Sequence, residues 1–449
     1  MVRRALIERW RRDAVRCFQA AVQAVDPLTC LPRWVSLRRD GLQVGSQTWP
    51  LPGRVWVVGA GKASARMAQA LEAVLGDRIA GGVVVTKEGH GVDLRRIQVL
   101  EAGHPIPDDR SLAAAEAIRR QLAAVQTGDG VFVLLSGGAS ALLELPVEGV
   151  TLADVQVVTD RLLRAGATIH EMNAVRKHLS RVKGGQLLRW VPPSVPVWTL
   201  VVSDVVGNDL TVIGSGPTVP DPSTYADAVE VLRRLQVWDC IPDTVRTYLT
   251  EGQAGRRPET PKPGDPLFAR SHVWIVADNQ TALQAAARAA RDRGYHVTVL
   301  TSFLEGSVIE VARWVRAVAR QVQTYGQPVR PPACVLMGGE TTVQVRGSGR
   351  GGRNQELATR VGALLQEDEA VVFLSAGTDG TDGPTDAAGG LVDPWRVHRA
   401  RRAGIHPEPF LADNDTYHYL AQVGGLLKTG PTYTNVMDLL VLIVGSEKT

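Results

Sequence analysis

The chain has 449 residues, a formal net charge of +4 and 44% hydrophobic residues. That length is more than one hydrophobic core usually supports, so two or three domains are expected. The charge is too small to argue for nucleic acid, and no run is apolar for long enough to span a bilayer. Cys17, Cys30, Cys240 and Cys334 are scattered without a C-x-x-C pair, which argues against structural zinc and against a disulfide framework. The expectation is a soluble cytoplasmic protein with no membrane or nucleic-acid partner; nothing in the sequence decides against a homodimer.

The first 25 residues carry Arg3, Arg4, Arg9, Arg11, Arg12 and Arg16 but no apolar signal core. Leu6, Trp10, Ala14, Phe18 and Val22 recur every fourth residue, the pattern of an amphipathic packing helix rather than a targeting peptide. Apolar β-branched runs then alternate with helical segments. Strands are predicted at 54–58, 82–86, 97–100, 131–135 and 197–203, with helices at 62–76, 111–125, 152–165, 169–180 and 224–236. Continuous apolar strands between helices imply a parallel sheet covered on both faces. Residues 251–268, rich in Pro, Gly and charge, read as a linker. Strands resume at 273–277, 297–300, 333–337, 371–375 and 439–444, the last assignable to either sheet. The expected fold is α/β with two domains, 1–250 and 269–449. Each is a mostly parallel sheet flanked by helices, the first Rossmann-like.

Nearly every polar motif follows a strand, where open parallel sheets bind ligands. In VVGAGKASARMAQAL (57–71), Gly59 and Gly61 make the turn and Lys62 opens the helix. Lysine is scarce in this chain: the others are Lys87, Lys177, Lys183, Lys262, Lys428 and Lys448. The motif is neither a Walker A nor a full dinucleotide fingerprint, because Ser64 replaces the third glycine. A lysine there suits a phosphoryl group; it also suits an exposed turn. Ser136, Gly137, Gly138, Ala139 and Ser140 form a second strand-to-helix turn whose N–H groups suit an anion, with Ser140 as a plain helix cap the alternative.

Thr168 and Glu171 form a capping box, and Asn173, Arg176, Lys177 and Ser180 share one side of the helix that follows, ahead of Lys183. That side is either a binding face or a solvated basic one. His104 reads as a structural loop residue. Asp204, Asn208 and Asp209 follow a strand, and Asp379, Asp382 and Asp386 lie in a Gly/Thr loop. These carboxylates suit Mg²⁺, or simply turns. Glu340 is a further acid. The loop GSGRGGRNQE (347–356) brings Arg350 and Arg353 to the start of a helix, where free N–H groups and positive dipole favour an anion. Thr432, Thr434, Asn435 and Asp438 precede the final strand and suit either a hydroxyl-rich pocket or a turn.

Taken together, GAGKAS (59–64), EAGHPIPD (101–108), SGGASALL (136–143), NAVRKHLSRVKGG (173–185), SDVVGND (203–209), GSGPT (214–218), MGGETTV (337–343), GRGGRNQELA (349–358), AGTDGTDGPTDAAG (376–389) and GPTYTNVMDL (430–439) resemble the glycerate 2-kinase family with a C-terminal MOFRL domain. They occur in family order over almost the whole chain. A cleft between the two domains is the expected site, and the resemblance implies ATP- and Mg²⁺-dependent phosphorylation of D-glycerate at its 2-hydroxyl. It makes Lys62 and Arg353 the catalytic cations. Gly59, Gly61, Ser136, Gly137, Gly138, Ala139, Ser140, Asn173, Arg176, Lys183, Glu340 and Asn354 become the phosphate- and substrate-binding set. Val206 and Asn208 stand where the family often has Pro and Asp, which shifts the metal role toward Asp204 and Asp209, with Asp379 a further ligand. An NAD(P)H-dependent hydroxypyruvate reductase and a non-enzymatic sugar-phosphate sensor are the alternatives. The missing third glycine and the lack of a ribose-binding acid near position 80 weigh against the reductase.

Overall fold

The computed structural model describes residues 4–445, so Arg3 and Lys448 lie outside the described residues. Two compact units are present. Pro27–Val276 form the first; the residues up to Asp26, with those from Ala277 onward, form the second.

The first unit opens with a small antiparallel meander of β1 (Val35–Arg38), β2 (Gly41–Val44) and β3 (Gln47–Trp49). These strands have three or four residues each, too short for periodicity to reveal. The main sheet contains β4 (Val55–Ala60), β5 (Ile79–Lys87), β6 (Ile97–Ala102), β7 (Gly130–Ser136), β8 (Val197–Val202) and β9 (Ser271–Ala277), in the order β6-β5-β4-β7-β8-β9. The ladders from β6 through β8 are parallel. Strands β4, β7 and β8 are buried along their whole length, as their continuous apolar runs require. Val58, Ala60, Val133 and Leu135 pack with Ala114, Ile118 and Leu122 of the helix Asp109–Leu122. A second cluster, including Val155, Leu162, Val175, Leu179, Tyr225, Leu232 and Leu249, joins the helices that follow. Read from β4, the strand order is 3-2-1-4-5-6, and its direction reverses between β4 and β7, the place where doubly wound sheets receive ligands.

The second unit contains β10 (His296–Leu304), β11 (Ala333–Gly339), β12 (Val371–Gly377), β13 (Gly389–Val392), β14 (Leu426–Leu427) and β15 (Asp438–Val444), in the order β10-β11-β15-β12-β13-β14. Here the expectation of a mostly parallel sheet fails. Among its described pairings only β10 with β11 is parallel; β15 is antiparallel to both β11 and β12, and β13 and β14 continue antiparallel. A strand buried on both faces reads as a continuous apolar run in either direction, so composition did not encode the reversal.

The units also divide the chain differently from the 1–250 and 269–449 expected. The helix Arg4–Val25 buries Trp10, Ala14 and Phe18 against the second unit, and β9 joins the first sheet. The supposed linker 251–268 is packed structure in the first unit. Glu259 accepts from buried His178 at 2.7 Å, Thr260 donates to Asp221 at 2.9 Å, and Lys262 donates to Thr260 at 2.7 Å. Burial alone would raise the Glu259 carboxyl, but the hydrogen bond and charge of His178 outweigh it and bring it down to about 2. Pro and Gly marked turns here, not the absence of contacts.

Candidate functional site

The switch point is built by the turns after β4 and β7. Gly61, at φ +130°, sits where a Cβ would collide with Ser136, so only glycine brings the two turns this close. Lys62 N–H donates to the Gly137 carbonyl at 2.8 Å and Ala63 N–H to Ser136 Oγ at 3.0 Å. Thr86 Oγ1 donates to the Lys62 carbonyl at 3.3 Å. The lysine backbone is therefore pinned from both sides. Ser64, in place of the expected third glycine, is buried and donates to the Val85 carbonyl at 2.7 Å. The serine thus achieves the close helix–strand approach that glycine would otherwise permit. Gly59 is equally tight: a Cβ there would meet the Leu134 backbone.

Gly138, at φ +85°, caps the short helix Ala139–Leu142, so Ser140 is not the cap. A Cβ at Gly138 would lie 2.8 Å from the His104 ring and 3.6 Å from Lys62 Cγ. His104, expected to be structural, therefore borders the site; only its place in the EAGHPIPD motif pointed there. Ser140 Oγ lies 2.7 Å from Ser215 Oγ, which donates to Asn173 Oδ1 at 2.9 Å. Arg176 Nη2 donates to the Ser140 carbonyl at 2.8 Å. Ser215 itself carried no sequence signal beyond the GSGPT motif; it sits at φ +59° between two glycines also at positive φ.

The basic helix face divides sharply. Lys183 Nζ donates to Glu144 at 2.7 Å and to the Leu143 carbonyl at 3.1 Å, wholly buried. Burial lowers its ammonium to about 8 against the pull of Glu144. Lys177 is buried on Asp221 at 3.3 Å. Both are structural pairs, so the expected binding role of Lys183 finds no support in this geometry. Arg176 is 3.8 Å from Glu144, and its buried Nε, like Nδ2 of Asn173, has no hydrogen-bond partner. Buried donors of this kind are uncommon unless something meets them.

In the second unit, the loop before the helix Arg353–Leu364 differs from its sequence reading. Its N-terminal N–H groups are already taken: Asp382 accepts from Asn354 N–H at 3.1 Å and from Gln355 N–H at 2.8 Å. Gly352 leaves room for that carboxylate, which a Cβ would strike. Burial pushes the Asp382 carboxyl up to about 6 despite these donors. Arg353 makes a two-pronged bond to Asp438, at 2.6 and 3.0 Å, and its Nη1 lies 2.6 Å from Glu340. Burial opposes its charge, but Asp438 and Glu340 hold it more firmly protonated than usual. Arg350 lies over the Tyr417 ring. The anion expected at this helix end is thus supplied by the chain's own carboxylates. Asn354 is buried and accepts from Ser375 at 2.6 Å. Thr432 and Thr434 donate to main-chain carbonyls, as turn residues do.

Among the described residues, no three His, Cys, Asp or Glu side chains gather as a metal cluster. Asp209 closes a turn on Thr211 at 2.8 Å, with Oδ2 3.9 Å from His170; Asp204 is half-buried after β8; Asp379 closes a turn on Thr381 at 3.1 Å. Hard oxygen donors, one or two at a time, are what Mg²⁺ takes beside phosphate and water, so Asp204 and Asp209 fit that ion by donor type.

The strand reversal, the interlocked glycine turns and the polar chain behind them define an α/β protein of the switch-point class, which takes a small ligand outside the carboxyl ends of its strands. Residues 13–250 match the family described as Domain of unknown function (DUF4147), and residues 333–438 match the MOFRL family. The chain is 40% identical to the glycerate 2-kinase of Pyrococcus horikoshii, over 98% of each protein. It is 41% identical to a putative hydroxypyruvate reductase of Agrobacterium vitis, over 96% of this chain and 93% of the relative. The crystal structure of the Thermotoga maritima glycerate kinase superposes with a TM-score of 0.86 at 38% identity, covering 97% of this chain and all of the other. The chain belongs to the glycerate kinase family and is an enzyme.

Proposed function

We propose that the enzyme phosphorylates D-glycerate at its 2-hydroxyl, using ATP, to give 2-phosphoglycerate and ADP. The observation that carries this reading is the placement of Lys62 on a doubly pinned turn at the switch point, in a chain alike to glycerate 2-kinases over nearly its whole length. Phosphoryl transfer spreads negative charge over the equatorial oxygens and asks the protein mainly for positioned cations. Lys62 supplies one from a rigid backbone. Arg353, held protonated by Asp438, is the second cation of the proposal. The glycine turn Ser136–Ser140 would carry phosphate oxygens on its N–H groups. Asp204 and Asp209 would hold Mg²⁺, whose contribution when bound is to neutralise charge on the nucleotide phosphates. Of the basic groups between 173 and 183, Arg176 is the one with an unmet buried donor, so it is assigned to the glycerate carboxylate, with Asn173 beside it. A homodimer is compatible with this reading and is tested by light scattering; the cytoplasmic setting it assumes is tested by cell fractionation.

The test is ATP consumption with D-glycerate and Mg²⁺, with the product resolved by ³¹P NMR. A 2-phosphoglycerate resonance is expected; 3-phosphoglycerate would overturn the regiochemistry. A parallel assay with hydroxypyruvate addresses the second reading, kept because of the Agrobacterium relative's name and the strand order shared with dinucleotide-binding sheets. NAD(P)H oxidation without ATP turnover would decide for the reductase.

A further inference from the structure

The polar chain behind the switch-point turns has one member whose backbone is strained and which the proposed chemistry does not use. Ser215 sits at φ +59°, between Gly214 at +58° and Gly216 at +62°. Glycine adopts that conformation freely, whereas a residue with a Cβ is strained in it, and such strain persists only where the surroundings impose it. Here they do. Gly184 N–H donates to the Ser215 carbonyl at 2.9 Å and Gly185 N–H to the Gly216 carbonyl at 2.7 Å. A Cβ on Gly214 would come within 3.2 Å of the Ala139 Cβ, so the missing side chain lets this turn lie close against the helix Ala139–Leu142. A third glycine would satisfy the backbone without strain. What serine adds is a hydroxyl, wholly buried and bonded to two side chains.

Those two bonds fix the direction of the protons along the chain. Ser215 donates to Asn173 Oδ1 at 2.9 Å, and a hydroxyl has one hydrogen to give. The 2.7 Å contact between the Ser140 and Ser215 hydroxyls therefore has Ser140 as its donor. With its hydrogen spent inward, Ser140 Oγ offers only lone pairs to anything else. Ser140 is half-buried, whereas Ser215 and Asn173 are buried, so Ser140 is the end of the chain that a ligand reaches. A carboxylate or phosphate oxygen has no hydrogen to offer it; a hydroxyl has. The Ser140 carbonyl accepts from Arg176 Nη2 at 2.8 Å, which puts this acceptor beside the guanidinium assigned to the glycerate carboxylate.

We propose that Ser215 is a positioning residue for substrate specificity: it orients the Ser140 hydroxyl as an acceptor for the 3-hydroxyl of D-glycerate. That role rests on the glycerate 2-kinase reading, in which the carboxylate meets Arg176 and the 2-hydroxyl faces the nucleotide, so that the 3-hydroxyl is the donor still to be met. Ser140 touches the substrate, and Ser215 acts through it. A three-carbon acid without that hydroxyl, D-lactate, gives Ser140 nothing to accept and binds more weakly.

The test measures KM for D-glycerate and for ATP, and the inhibition constant of D-lactate, in the full-length enzyme. Wild type should hold D-lactate about tenfold more weakly than D-glycerate. Ser215→Gly is the first variant, because φ +59° suits glycine and only the hydroxyl and its Cβ are lost. It should raise KM for D-glycerate about tenfold, with changes of about twofold at most in KM for ATP and in the D-lactate constant. A merely structural role would weaken all three together. If that variant fails to fold, Ser215→Ala, which keeps the Cβ, should show the same split. Ser140→Ala removes the acceptor itself and should raise the D-glycerate KM at least as far, and adding Ser215→Gly to it should cost nothing further. An unchanged D-glycerate KM, equal weakening of D-glycerate and D-lactate, or additive losses in the double variant would each overturn this role while wild-type turnover left the kinase reading standing. A wild-type enzyme that did not turn over D-glycerate would overturn both.

Discussion

Two glycine-rich basic turns look alike in the sequence, GAGKAS at 59–64 and GRGGRNQE at 349–356, yet the structure holds them by opposite means. The first is fixed by main chain: Gly61 admits Ser136, and the Lys62 N–H and carbonyl are both bonded to the neighbouring turn and strand. The second is fixed by side-chain charge: Asp382 fills the helix end, and Asp438 and Glu340 grip Arg353. Changing the Lys62 side chain leaves the main-chain hydrogen bonds of its turn in place. A cation neutralised by a buried carboxylate is part of the fold, and its removal leaves that carboxylate alone.

The largest expected effect follows from that contrast. Arg353→Ala strands Asp438, whose side chain is 2% exposed, and should cost about 3–5 kcal/mol of stability in the second unit as well as nearly all turnover. A variant that melted like the wild type would break the comparison. Lys62→Ala should lower kcat by about 10³, on the order of 4 kcal/mol in the barrier. Near-native kcat would remove Lys62 from the chemistry, and a large fall in Tm would show that side chain, not backbone, holds its turn. Gly61→Ala should destabilise by about 2–4 kcal/mol in urea titration, because the added Cβ strikes Ser136 and the backbone is at φ +130°.

The smallest effect lies in the segment read as a linker. Glu259 is brought down from its ordinary 4.5 to about 2 when folded. A depressed carboxylate contributes stability that is present above its unfolded pKa and lost as pH falls through the folded one, here between 4.5 and about 2. Glu259 is 36% exposed, so solvent screening reduces the contribution to about 1 kcal/mol. Glu259→Gln should lower stability by that amount at neutral pH and flatten the acid limb of a stability–pH profile. An unchanged profile would return 251–268 to the status of a linker.

Much of this was legible beforehand. The ten expected strands all occur, β4 and β7 among them, because long apolar β-branched runs have few alternatives to a buried strand. The capping box of Thr168 and Glu171 is present for an equally local reason. Lys62, Ser136 and Gly138 do meet, because a parallel sheet brings successive strand ends to one edge. The anion reading of the helix start at Arg353 missed Asp382, which lies some thirty residues away in a loop that local pattern could describe only as a turn. Arg176, Lys177 and Lys183 looked interchangeable; Glu144 and Asp221 distinguished them.

The sequence by itself determined the alternation of elements, the glycines that permit close turns and the motifs that place the chain in its family. Those are properties of neighbours along the chain, set by backbone conformation and by apolar periodicity. Only the tertiary structure decided which charges are neutralised, that β15 runs antiparallel in the middle of its sheet, and that the first helix belongs with the second unit. Each depends on groups far apart in the chain, whose electrostatic and packing energies arise only once folding has brought them within contact distance.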